Sequence, residues 1–81
     1  MKIIYFAWIK DITNCHEELV DSNEIKNLDN LKNYIISKYP DLKKHLDHEI
    51  LRFAVNQEYV VVNIDFKKDD EIAIFPPVSG G

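Results

Sequence analysis

The sequence has 81 residues, 46% of them hydrophobic, with 10 Lys and Arg against 14 Asp and Glu. A chain of this length is expected to form one small domain, and its mildly acidic, interspersed charges argue against nucleic-acid binding. Cys15 is the only cysteine, which excludes an internal disulfide and favours a reducing compartment, so we expect a cytoplasmic protein.

The first predicted element is a strand over Ile3–Ile9, where β-branched and aromatic residues follow one another. Alternation places Ile3 and Tyr5 on one face of this strand and Phe6 and Trp8 on the other. The apolar stretch is too short to cross a bilayer and lacks a small-residue cleavage pattern. We therefore predict neither a membrane partner nor a signal peptide.

The main predicted helix begins at Asn27, whose side chain suits the N-cap, and ends before Pro40, which cannot continue it. Leu28, Leu31 and Ile35 recur at helical spacing and give this helix one apolar face. The other predicted elements are turns over 10–16 and 67–70, strands over 17–20, 52–56, 59–62 and 71–75, and a short helical turn over 41–47.

This order of elements predicts an α+β domain in which one main helix packs across a mixed sheet. The first and last strands can pair in parallel because the helix makes the crossover between them. The arrangement is the β-grasp, or ubiquitin-like, fold, which we assign to residues 1–75, with 76–81 as a flexible C-terminal tail. The predicted core between helix and sheet comprises Ile3, Tyr5, Leu31, Ile35, Val55, Ile72 and Ile74.

The same alternation turns three aromatic side chains, Phe6, Trp8 and Phe75, away from the helix. A single helix cannot cover both faces of a sheet, and an exposed aromatic patch on a small domain usually marks a partner surface. The alternative is that the strand register is inverted or that a loop covers the patch.

Side chains that could carry chemistry are sparse. His45 and His48 lie three residues apart, but a metal site needs further ligands, so we interpret them as solvated surface residues. Cys15 and His16 are adjacent and have no orienting third group, which makes a nucleophile–base pair improbable. Any chemistry is therefore expected at the C-terminal carboxylate.

The last six residues read Pro-Pro-Val-Ser-Gly-Gly, from Pro76 to Gly81. A Gly-Gly end adds nothing to a folded core, because glycine loses more backbone entropy on ordering than any other residue. Without side chains it can enter a narrow channel and present a carboxylate to another protein's active site. The plainer interpretation is a frayed terminus.

Four segments together resemble the molybdopterin synthase small subunit, the MoaD-like sulfur carrier family. The ending from Ile72 to Gly81 is similar to the family's most specific segment. Ala54-Val55-Asn56-Gln57 resembles its strand and turn, Tyr5-Phe6-Ala7 its first strand, and Tyr39-Pro40 the end of its helix. In the turn before the last strand, Asp69 stands where the family usually has glycine. If that position needs a positive φ, Asp69 would carry a local cost.

The resemblance implies that Gly81 is the reacting group. An E1-like enzyme would use ATP to adenylate its carboxylate, and a sulfurtransferase would supply the sulfur that makes it a thiocarboxylate. The charged carrier would then dock on the large subunit of molybdopterin synthase, in a heterotetramer, and deliver sulfur to cyclic pyranopterin monophosphate. No cofactor or metal would bind to the carrier itself. The resemblance also implies partner-binding residues, namely Phe6, Tyr59, Phe75, Pro76, Pro77, Val78, Ser79 and Gly80.

Three other functions stay open at this point. The chain could carry sulfur for another pathway, such as thiamin or tungsten-cofactor synthesis or protein or tRNA thiolation. It could be a ubiquitin-like modifier joined to lysines through Gly81, or a plain interaction module that tolerates loss of Gly81.

Overall fold

The computed structural model describes residues 1–77, and Val78 to Gly81 lie outside the described residues. Within residues 1–77, the sheet has five strands in the order β2-β1-β5-β3-β4. No helix in this part of the chain is both long and apolar enough to cross a membrane. The elements in chain order are β1 Lys2–Tyr5, α1 Trp8–Thr13, β2 Glu17–Leu19, α2 Leu28–Lys38, a 3₁₀ turn Pro40–Leu42, α3 Lys43–Asp47, β3 Arg52–Val55, β4 Glu58–Val60 and β5 Glu71–Phe75.

The centre of the sheet is the parallel pair β1–β5, in which Ile3 lies opposite Ile72 and Tyr5 opposite Ile74. The other strand pairs are antiparallel. Parallel strands need a long crossover, and α2 lies within it. The N-cap of α2 is Asn27, whose side chain accepts a hydrogen bond from the Asn30 amide at 2.8 Å. The predicted β-grasp fold and its main helix are confirmed.

The first strand is shorter than predicted. It ends at Tyr5, and Trp8–Thr13 forms helix α1 where the sequence predicts strand and turn. The break occurs at Ala7, whose φ of 54° and ψ of −136° turn the chain out of the extended conformation. The Ile9 amide donates to the Phe6 carbonyl at 3.1 Å across this turn. An apolar run without glycine or proline gives no signal for such a break, so the prediction was wrong here.

Six of the seven predicted core residues are fully buried between α2 and the sheet. Val55 faces the same way but is only partly buried, because it lies at the turn end of β3. The sequence analysis missed Ile9, which α1 carries into the core. It also missed the loop residues that close the core, among them Ile25, Leu51 and Phe66.

The β3–β4 hairpin closes with Asn56 and Gln57, whose φ values of 51° and 72° are both positive, as a two-residue type I′ turn requires. Asp70 links this turn to the start of β5, because its carboxylate accepts hydrogen bonds from the Asn56 side chain and the Lys67 amide. Asp69 does not have a positive φ, so the cost considered for it does not arise.

A carboxylate on β2 ties the N-terminal hairpin to α2. Glu18 points to the helix side of the sheet and accepts hydrogen bonds from the hydroxyls of Tyr5, Tyr34 and Tyr39 at 2.5, 2.6 and 2.8 Å. The Lys38 ammonium donates to the same carboxylate at 2.6 Å. We call these five residues the Glu18 cluster. Within the cluster, the Lys38 ammonium balances the charge of the Glu18 carboxylate, which is largely removed from solvent.

Burial and hydrogen bonding shift the pKa values of the Glu18 cluster. Burial alone would raise the pKa of Glu18, but the hydrogen bonds from Lys38 and the three tyrosines outweigh it and lower that pKa to about 2. Burial, followed by the hydrogen bond to Glu18, raises the pKa of Tyr5 far above its ordinary value. The pKa of Lys38 is also raised, chiefly by its hydrogen bond to Glu18. The cluster therefore keeps a fixed charge pattern across the neutral range.

Candidate docking surface

The face of the sheet opposite α2 carries a continuous apolar row. Ile4 lies opposite Ala73, Ala73 lies opposite Ala54, and Ala54 lies opposite Tyr59. Because directly opposed residues share a face of the sheet, these side chains line up from β1 to β4. The row leaves Tyr59 62% exposed at its end.

The next row of this face carries Phe6 and Phe75, at the end of the sheet where β1 and β5 finish. Phe75 lies opposite Arg52, half-buried, and its ring meets the Tyr59 ring edge-on with centroids 5.5 Å apart. Phe6 follows the last residue of β1, and its amide donates to the Ile74 carbonyl at 3.0 Å, which places Phe6 beside Phe75. Phe6 is 45% exposed. We call Phe6, Tyr59 and Phe75 the docking patch.

Trp8 does not belong to the docking patch, contrary to the sequence prediction. It lies on α1 and packs against the margin of the core, and its ring lies 4.6 Å from the ring of His45 between centroids. The break at Ala7 causes this, because it removes Trp8 from the strand alternation. His45 is consequently half-buried rather than fully solvated, whereas His48 is exposed.

The predicted tail begins directly next to the docking patch. β5 ends at Phe75, and Pro76 and Pro77 continue the chain, the first half-buried and the second exposed. Two prolines in succession restrict φ and favour an extended exit from the sheet. The remaining predicted tail residues, Val78, Ser79, Gly80 and Gly81, lie outside the described residues.

The sequence analysis overlooked the small residues between the aromatic ones. Ala54 and Ala73 form the floor of the apolar row, and Ile4 extends it to β1. The alternation of Ile4 and Ala73 with buried neighbours was a usable signal, whereas Ala54 is itself buried beside Phe53. A charged pair, Lys2 and Glu17 at 3.3 Å, lies beyond Ile4 toward β2.

Within residues 1–77, no group of three or more His, Cys, Asp or Glu side chains is arranged to hold a metal ion. The side-chain contact of Cys15 is with the Tyr39 hydroxyl, with 3.6 Å between sulfur and oxygen. The arrangement suits docking to a partner at the base of the C-terminal segment.

A mixed five-stranded sheet crossed by one helix, with an open apolar face next to the end of the last strand, defines a β-grasp protein of the ubiquitin-like class. The model of the ThiS family matches residues 3–81. Since this match spans nearly the whole sequence, the chain belongs to the ThiS family.

Known proteins agree with this assignment. The chain is 37% identical to the molybdopterin synthase sulfur carrier subunit of Dictyostelium discoideum, over 99% of this chain and 94% of that protein. It is 36% identical to the human protein of the same name, over 100% of this chain and 93% of that one. Among solved structures it resembles a Pyrococcus furiosus protein described as molybdopterin converting factor, subunit 1. That likeness has a TM-score of 0.82 and 25% identity, and it covers 95% of each chain.

Proposed function

We propose that this chain is the sulfur carrier subunit of a molybdopterin synthase and carries sulfur as a thiocarboxylate on Gly81. The observation that carries the proposal is the full-length similarity to proteins named molybdopterin synthase sulfur carrier subunit, at 36–37% identity. The docking patch supports it, because a carrier must hold its partner next to the base of the segment that delivers the cargo.

The proposed cycle begins with activation of a poor electrophile. A Gly81 carboxylate oxygen attacks the α-phosphate of ATP on an E1-like adenylating enzyme, and pyrophosphate leaves. Sulfur supplied by a sulfurtransferase, at the oxidation level of sulfide, then displaces AMP and leaves the thiocarboxylate. The chain itself binds neither ATP nor another cofactor in this scheme and contributes the reacting carboxylate.

Delivery would take place in the active site of the synthase large subunit, within a heterotetramer. The thiocarboxylate sulfur attacks a carbon of the cyclic pyranopterin monophosphate and displaces an oxygen from that carbon, and water hydrolyses the remaining acyl–sulfur bond. Sulfur stays on the product, and Gly81 returns as the carboxylate. Residues 78–81 could reach about 13 Å beyond Pro77 when extended, which suits insertion into a partner's cavity. A stiff base at Pro76 and Pro77 would limit the entropy lost on insertion.

The decisive experiment alters only the end of the chain. Deletion of Gly81, Gly81→Val and a one-residue extension should all leave the fold intact, since none touches the core. None of them should become a thiocarboxylate, because deletion shifts the carboxylate by about 3.5 Å and misplacement by about 1 Å can cost on the order of 100-fold in rate. ATP–pyrophosphate exchange with the cognate adenylating enzyme, followed by intact mass, measures this. Wild-type exchange and sulfur loading of the extended form would refute the proposal.

The acceptor is the point at which the alternatives differ. A sulfur carrier for another pathway would reach the same thiocarboxylate but would not support synthesis of molybdopterin with the large subunit. A ubiquitin-like modifier would instead appear in cells as isopeptide adducts ending in Gly81 on lysines of other proteins. Molybdopterin synthesis by the sulfur-loaded chain with the large subunit tests the first alternative. Intact mass of the chain purified from its own host, together with a search for such adducts, tests the second.

A further inference from the structure

Strand β4 forms one end of the sheet, with β3 on one side and no strand of the described residues on the other. The turn at Asn56 and Gln57 has two residues, so the flanking residues Val55 and Glu58 form a hydrogen-bonded pair and the next pair does not. The N–H and C=O of Tyr59 therefore point away from β3. Val61 follows the last residue of β4, and a continuation of the same alternation would direct its N–H outward as well.

The side chains along this edge are apolar and exposed. Tyr59, Val61 and Val62 are 62%, 85% and 64% exposed. Natural sheets usually protect such an edge with lysine, proline or a bulge. Residues 59–62, which we call the edge segment, comprise the last two residues of β4 and the two that follow it, and they contain neither lysine nor proline. An apolar edge with unpaired backbone groups is a template for an additional strand.

Two cavities flank the edge segment and share Tyr59, Val60 and Val61 as a common wall. They measure about 420 and 500 Å³. The charged residues of the first are Lys32, Arg52 and Glu49, whereas those of the second are Glu58, Asp65, Asp70 and Lys67. Basic side chains therefore predominate in one cavity and acidic side chains in the other.

We propose that the edge segment pairs with an extended segment of the synthase large subunit, which adds a strand to the sheet beside β4. This inference rests on the proposed function. Backbone pairing would supply affinity, while an acidic and a basic side chain of the incoming segment would enter the first and second cavities, respectively. Tyr59 belongs to both the docking patch and the edge segment, so one partner can cover the open face and continue onto the edge.

A second copy of the chain is a weaker candidate for this position. A stable interface buries about 800 Å² on each partner, and an edge of four residues cannot supply that area alone. A partner that already covers the docking patch needs only a few additional residues to cover the edge.

Amide hydrogen exchange of the labelled chain, alone and with the unlabelled large subunit from the same organism, tests the proposal. We expect exchange at Tyr59 and Val61 to slow at least tenfold in the complex. The amide of Glu58, already bonded to β3, serves as the internal reference. Val61→Pro and Val61→Ala form a matched pair, because both remove the branched valine side chain but only proline removes the N–H. Val60 is extended in β4, as a residue before proline must be.

We expect Val61→Pro to bind the large subunit at least tenfold more weakly than Val61→Ala, with both variants folded. A complex of full affinity with unchanged exchange at Tyr59 and Val61, or with equal affinities for the two variants, overturns the edge pairing and leaves the proposed function intact. Slowed exchange in the isolated chain that grows with concentration would identify a second copy as the occupant. Failure of the wild-type chain to bind the large subunit would overturn both proposals.

Discussion

The ring of Tyr59 meets the ring of Phe75 edge-on at a centroid distance of 5.5 Å, although the two residues lie on strands that are separated by β3. The contact is possible because Ala54 occupies the position opposite Tyr59 on the intervening strand and leaves room above the sheet. Edge-to-face geometry is the arrangement that aromatic quadrupoles prefer. The two rings therefore form one continuous apolar surface beside the C-terminal segment.

Replacing Phe75 with lysine should weaken binding to the large subunit. Central aromatic residues of an interface typically contribute about 2 kcal/mol or more, so we expect the Kd to rise roughly 30-fold. Thermal stability should change little, since Phe75 is already half-exposed. Titration calorimetry with the large subunit measures the effect. Leu19→Lys is the matched control, because Leu19 is 79% exposed on β2 at the far end of the sheet. Equal affinities for the two variants would show that the docking patch is not the interface.

The fold was predictable from the sequence because its determinants are local. The helix stripe of Leu31 and Ile35 and the alternation in β5 follow from spacing, and the order of elements then limits the topology. The docking patch was predictable in part, since Phe75 alternates with buried isoleucines. The placement of Trp8 was not, because one backbone angle at Ala7 decides it. The residues that bind Glu18 in the Glu18 cluster are 13 to 21 positions away from it in the sequence. No local sequence pattern predicts such a cluster.

Ala7→Gly should stabilise the protein. Ala7 has a φ of 54° and a ψ of −136°, a conformation in which a Cβ is unfavourable but glycine is not. Removing the Cβ should raise the free energy of unfolding by roughly 1 kcal/mol, or the Tm by about 4–8 °C. Differential scanning calorimetry measures it. Asn14→Gly is the control, because Asn14 has a positive φ that asparagine tolerates well and should show a smaller gain. A lower Tm for Ala7→Gly would contradict the assigned turn.

Ile35→Ala should be strongly destabilising. Ile35 is fully buried between α2 and the sheet, and truncation of such a residue costs about 2–5 kcal/mol through lost burial and the cavity left behind. Urea denaturation followed by circular dichroism measures the change. Ile36→Ala provides the comparison, since Ile36 is the same residue type on the same helix but only half-buried. Equal losses for the two variants would show that the helix face is misassigned.

Glu18 should make the stability of this protein depend on pH in the acidic range. Its pKa is lowered to about 2 in the folded chain from an ordinary value of 4.5. The folded state therefore binds the proton more weakly than the unfolded state, so stabilisation is complete above the ordinary value and is lost as the pH falls through about 2. We expect the free energy of unfolding to decrease between about pH 5 and pH 2.

Glu18→Gln should remove much of this dependence, because glutamine keeps the size of the side chain but has no charge to titrate. The variant should be less stable at pH 7, where three tyrosine hydroxyls and Lys38 lose their charged acceptor. Its stability should then fall less steeply than that of the wild type as the pH is lowered. Urea denaturation between pH 2.5 and 7 compares the two. Glu17→Gln removes a carboxylate from the same strand without touching the Glu18 cluster, and it should keep the wild-type slope. Parallel curves for wild type and Glu18→Gln would mean that the cluster does not govern the acid response.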